Sequence, residues 1–132
     1  MATGGLADIV LMFGATPNDV VKRYHDLVGK PVLTPMWALG WHQCKWGYES
    51  TAALETVVQS YEDNNLPLDA QWVDIDYMAN YSDFTYDKED FAGLPGFVDA
   101  LHDKAMHFVP ILDAGIAQRE GGEYDAYNTG KA

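Results

Sequence analysis

A chain of 132 residues that is 48% hydrophobic and 13% aromatic can build one modest globular core, which excludes a disordered tail. Twenty acidic residues against eight basic ones give a formal charge of -12, which excludes a nucleic-acid surface, because phosphate binding needs clustered Lys and Arg. No apolar run approaches the length of a membrane span.

The chain opens on Leu6 to Phe13, an apolar run between glycines that is expected as a short strand. The residues before it lack the basic region of a signal peptide. Thr16-Pro17-Asn18-Asp19 is a helix start, with Thr as N-cap, Pro at the first helical position and an acid in the first turn. Val20, Val21, Tyr24, Leu27 and Val28 mark one face of that helix, and Gly29 and Pro31 end it. A two-proline connector over 30–36 leads into WALGWHQCKWGY (37–48), whose front half, Trp37 to Gln43, is expected as a strand. The single cysteine, Cys44, has no partner for an internal disulfide and is expected as a small buried hydrophobe.

A second helix starts near Ser50 and carries Leu54, Val57, Val58 and Tyr61 at helical spacing. Asn64-Asn65 and Pro67 end it. Leu68 to Met78 reads as a strand, with Val73, Ile75 and Tyr77 on one side and Trp72, Asp74, Asp76 and Met78 on the other. A polar, aromatic loop spans 79–93. A third helix starts near Pro95, with Phe97, Val98 and Leu101 on its face. Phe108 to Leu112 is expected as a third strand, although Pro110 cannot donate to a ladder. The tail from Gln118 to Ala132 is polar and Gly-rich.

From residue 37 the order is therefore strand, helix, strand, helix, strand, which favours parallel strands joined by crossover helices. The unit fits either a barrel piece or a small open sheet. Its polar residues gather where the strands end, at Trp46, Asp74, Asp76 and Asp113, the place where parallel α/β folds build their sites. Asp74 and Asp76, two apart on a strand, would share a face. They could be an acid/base pair, ligands for a hard metal, or acceptors for hydroxyl or structural donors. The histidines fit no zinc spacing; His42, among aromatics, is expected to satisfy a hydrogen bond. Asn80-Tyr81-Ser82 is an N-glycosylation sequon in a loop, compatible with a secretory route.

In order and spacing, WALGWHQCKWGY, LPLDAQWVDIDYM (66–78), DFTYD (83–87), FAGLPGFVDALH (91–102) and ILDAGI (111–116) resemble the glycoside hydrolases of family 31, and within them the retaining α-glucosidases. The resemblance covers nearly the whole chain. It implies an α/β fold: residues 31–132 as the start of a (β/α)8 TIM barrel, about three strands, with residues 1–30 as the end of a preceding β-sandwich domain and a linking helix.

The same resemblance implies roles. Asp74 matches the carboxylate that holds sugar hydroxyls in the −1 subsite, Ile75 and Ile111 match apolar walls of that pocket, and Trp46 matches the aromatic at its border, facing Asp74 from the next strand. Asp76 and Asp113 would support the hydrogen-bond network. An indole suits the C–H face of a sugar, and a carboxylate accepts its hydroxyls in charge-assisted bonds. Retaining glycosidases need two carboxyl groups about 5–5.5 Å apart. In this family both lie on later strands, so no catalytic residue is expected in this chain. The implied substrate is an α-glucoside or maltooligosaccharide, with no cofactor and no metal, in a lysosomal or extracellular protein. The alternative is a non-catalytic carbohydrate-binding or interaction module.

Overall fold

The computed structural model describes residues 4–119 and 122–131. The chain divides into two compact units, residues 1–33 and 34–132. The first holds one helix, α1 (Pro17–Val28), whose start closes a capping box. The Asp19 N–H donates to Thr16 Oγ1 at 3.3 Å, and Asp19 Oδ2 accepts the Thr16 N–H at 3.0 Å, so two otherwise orphaned amides are satisfied reciprocally. The strand expected over Leu6 to Phe13 is absent. A strand exists by pairing, and no described segment pairs with this one; Leu6 is fully exposed and Ile9 nearly so.

The second unit is a three-stranded parallel sheet in the order β1 (His42–Gln43), β2 (Ala70–Val73), β3 (His107–Pro110). Helix α2 (Thr51–Asp63) connects the first two strands and α3 (Leu94–Asp103) the last two. Leu54 and Val58 of α2, Phe97 and Leu101 of α3, and Val73 of β2 belong to one buried cluster, so both crossovers cover the same face of the sheet. Helices on one face are the arrangement of a closing barrel; a doubly wound open sheet would need them on both. Full burial of Leu54 and Leu101 contributes about 1.5–3 kcal/mol each.

The opposite face is aromatic and polar. Trp37 stacks on His107 at 3.9 Å and on His42 at 5.9 Å. Trp72 Nε1 donates to His42 Nδ1 at 2.9 Å, while His42 Nε2 lies 3.0 Å from the Trp37 carbonyl. An indole N–H only donates and a carbonyl only accepts, so His42 is the neutral tautomer with its proton on Nε2. The hydrogen-bonding role expected of His42 is the one observed.

The strands are shorter than the sequence suggests. Trp37 lies in a 3₁₀ turn (Met36–Leu39) and only His42–Gln43 of the expected first strand pairs. The chain then passes Gly40, where a Cβ would overlap the Asp69 carboxylate. That carboxylate accepts the Trp41 N–H at 2.8 Å, and the close approach requires glycine. The second strand stops at Val73 and gives way to a 3₁₀ turn, Ile75–Tyr77, so Asp74 and Asp76 do not alternate along a strand. In β3, the His107 and Ile111 amides point to the carbonyls of Asp69 and Val73. By alternation the nitrogen of Pro110 faces the open edge, where its missing N–H leaves this sheet intact. The polar tail forms a short helix, α4 (Asp125–Gly130), which the turn-rich composition there conceals. No described helix is long and apolar enough to cross a membrane.

Candidate functional site

The site assembles where the three strands end. After β1 the chain runs through Cys44, Lys45, Trp46 and Gly47 into buried Tyr48. A side-chain relay fixes this turn against α2. Trp41 Nε1 donates to the Tyr61 hydroxyl at 2.9 Å, Tyr61 donates to Gln43 Oε1 at 2.5 Å, and Gln43 Nε2 donates to the Tyr48 hydroxyl at 2.8 Å. Trp46 itself is 70% exposed. Cys44 is exposed as well, contrary to the expectation of a buried hydrophobe, because β1 has already ended before it. Partial burial, with a contribution from the Asp74 charge, pushes its thiol above the ordinary range, since both disfavour a thiolate.

After β2, Asp74 caps the 3₁₀ turn, its Oδ1 accepting the Ile75 N–H at 2.7 Å. Among the described residues Oδ2 has no partner. Asp76 reaches back across the sheet end, and its Oδ2 accepts the Gly47 N–H at 2.8 Å. Gly47 has φ +88°, a left-handed conformation that suits glycine and turns its amide toward Asp76. Tyr77 donates to the Ile111 carbonyl at 2.9 Å. Burial, then the Asp83 and Asp113 charges, push its phenol above 10.0.

After β3, the Asp113 N–H lies 3.1 Å from both carboxylate oxygens of Asp83, which is 3% exposed. The Tyr124 hydroxyl donates to the Asp83 carbonyl at 2.9 Å. The intervening loop holds three non-glycine residues at left-handed φ, Asn80 at 50°, Tyr81 at 53° and Phe84 at 61°. Such a backbone costs about 1–2 kcal/mol per bulky residue. It is held by Thr85, whose hydroxyl accepts the Ala79 N–H and donates to the Ser82 carbonyl, and by Arg119 on the Asn80 carbonyl.

Trp46 and Asp76 line one open cleft of about 690 Å³, together with Lys45, Met78, Asn80 and Tyr81. Glu49, Asp87 and Asp90 also face it, and among the described residues Lys45 is the only cation that lines it. An acidic wall beside an exposed indole suits a neutral polyol better than an anion. Asp74, Ile75, Ile111 and Asp113 do not line this cleft. Ile75 and Ile111 instead pack against the buried core. The structure thus groups Trp46 with Asp76 and leaves Asp74 outside that cleft, within reach of Cys44 only through its charge. Among the described residues no three His, Cys, Asp or Glu side chains converge as a metal site.

Asp83, Arg119 and Tyr124 escape sequence reasoning. Asp83 sits in the DFTYD stretch, but its burial and its amide partner come from the meeting of two chain segments thirty residues apart.

A family model described as the glycosyl hydrolases family 31 TIM-barrel domain matches residues 31–132. The chain is 40% identical over 130 residues to lysosomal alpha-glucosidase of Mus musculus, covering 98% of this chain and 14% of the relative. It is 44% identical over 117 residues to glucoamylase 1 of Candida albicans, covering 87% of this chain and 12% of the relative. A solved structure of glucosidase II alpha subunit in a DNJ-bound form superposes with a TM-score of 0.76 at 30% identity, over 89% of this chain and 12% of that one. The chain therefore spans between about one-eighth and one-seventh of the length of these relatives.

Proposed function

Because the chain belongs to glycosyl hydrolases family 31, we propose that it is the first part of the catalytic barrel of a retaining α-glucosidase that removes terminal α-linked glucose. Its segment before residue 31 would close a preceding β-sandwich domain. The observation that carries this reading is the three-stranded parallel sheet with helices on one face and Trp46, Asp74 and Asp76 at its strand ends.

In this reading the chain binds sugar and does not cut it. Asp74 keeps Oδ1 on the Ile75 amide, so the carboxylate stays oriented while Oδ2 accepts hydroxyls of the −1 glucose. Trp46 covers the ring's C–H face. Ile75 and Ile111, only partly buried against the core, would offer their remaining exposed sides as apolar walls, and Asp76 and Asp113 hold the surrounding loops. The nucleophile and the general acid/base of the double displacement come from later strands, since a full barrel takes about 250 residues.

The experiment is hydrolysis of a chromogenic α-glucoside by the purified 132-residue chain. No turnover is expected. Clear hydrolysis that survives repurification would overturn the assignment of the cutting groups to later strands.

A further inference from the structure

The sequence holds a single N-x-S/T triplet, Asn80-Tyr81-Ser82, and the sugar-binding reading does not use it. Its geometry is that of an acceptor. Asn80 is exposed at the centre of a short 3₁₀ turn, Ala79–Tyr81, at φ 50°, a conformation that asparagine tolerates better than most residues. Its backbone carbonyl is held by Arg119 at 2.9 Å, yet among the described residues its side-chain amide has no hydrogen-bond partner. Ser82 is the reverse: 5% exposed, its hydroxyl donates to the Asn80 carbonyl at 3.3 Å and accepts from Arg119 at 3.3 Å.

We infer that Asn80 is an N-glycosylation site whose glycan stands on the rim of the Trp46 cleft. Asn80 Nδ2 attacks the anomeric carbon of a lipid-linked oligosaccharyl pyrophosphate. The new C–N bond forms as the C–O bond to the pyrophosphate breaks; the lipid pyrophosphate leaves and the amide gives up one proton. Because the Ser82 hydroxyl is closed off in the folded loop, transfer precedes the latching of this loop by Thr85 and Arg119. The acceptor amide alone stays outside. Asn80 and Tyr81 line the same cleft as Lys45 and Trp46, so the glycan's first residues flank the opening and restrict bulky ligands more than small ones.

The whole chain, directed into the secretory route of a eukaryotic host, tests this without reference to glucosidase activity. The expected product carries one N-glycan, and enzymatic deglycosylation in heavy-oxygen water leaves labelled aspartate at position 80 of the tryptic peptide 46–88. Asn80→Gln removes the glycan and Ser82→Thr keeps it. On the rim, bulky amine-reactive reagents acylate Lys45 several-fold faster in Asn80→Gln than in the glycosylated protein. An unmodified Asn80 in the secreted chain would overturn the site, and equal Lys45 acylation would overturn its place on the rim.

Discussion

Asp76 ties the Trp46 turn to the end of the neighbouring strand through one bond, from the Gly47 N–H to Asp76 Oδ2 at 2.8 Å. A charged acceptor on a backbone amide contributes about 1.5–3 kcal/mol. Asp76→Ala is therefore expected to raise hydrogen exchange at the Gly47 amide by about 10- to 100-fold, with Asp76→Asn in between because it keeps a neutral acceptor. Unchanged protection in Asp76→Ala would show that the turn is held by the Gln43–Tyr48 relay alone.

Asp83 fastens the end of β3 to the loop after β2. Asp83→Ala leaves the Asp113 amide without its acceptor and opens a small void, so a loss of about 2–3 kcal/mol is expected in denaturant unfolding. Tyr124 uses the Asp83 carbonyl and not its carboxylate, so Tyr124→Phe should cost only about 1 kcal/mol. Similar losses for the two variants would contradict this division.

The order of elements was legible because it rests on local signals: caps at Thr16 and Ser50, helical spacing in α2 and α3, and alternation with short apolar runs. Strand ends were not. Whether Asp74 continues a strand or caps a turn is decided by its bond to the Ile75 amide and by where β1 and β3 stop offering partners. Cys44 is exposed where its residue type suggests burial for the same reason, since it follows the last paired residue of β1. Leu6 to Phe13 has strand composition but, among the described residues, no pairing edge. The residues of the site were visible as polar and aromatic groups after strands, whereas the pairing of Trp46 with Asp76, and the whole role of Asp83, depend on contacts between distant segments.

Ala105 ends α3 at φ 57°, its N–H on the His102 carbonyl at 2.9 Å. A left-handed alanine costs about 1–2 kcal/mol, and glycine there adds back only about 0.4–1 kcal/mol of unfolded-state entropy. Ala105→Gly is expected to stabilise the chain by about 0.5–1 kcal/mol. A fall in the denaturation midpoint would mean that the Ala105 methyl makes contacts worth more than the strain.

Tyr77 gives stability an alkaline edge. Burial and two nearby carboxylates raise its folded value above the ordinary 10.0, so above that pH the folded chain keeps a proton that the unfolded chain has lost. The contribution is fully present below about pH 10 and falls away as pH rises through the higher folded value. Tyr77→Phe should lose about 1 kcal/mol at neutral pH, from the bond to Ile111, yet show a flatter decline above about pH 10. Parallel melting-temperature profiles for the two proteins would exclude Tyr77 as the titrating group.

Cys44 reports on Asp74 without any ligand. The thiol is exposed, yet partial burial and the Asp74 charge hold it above its ordinary 9.0, against a smaller opposing effect of the Lys45 backbone amide. Only the thiolate is alkylated, so near pH 8 iodoacetamide should react more slowly with Cys44 than with a small free thiol. Asp74→Asn removes the charge and leaves the burial, so alkylation should speed up but stay below the free-thiol rate. The same substitution should leave the Ile75 amide bonded, because the asparagine oxygen can still accept. A rate in Asp74→Asn equal to that of the unaltered chain would place the carboxylate too far from Cys44 to act on it.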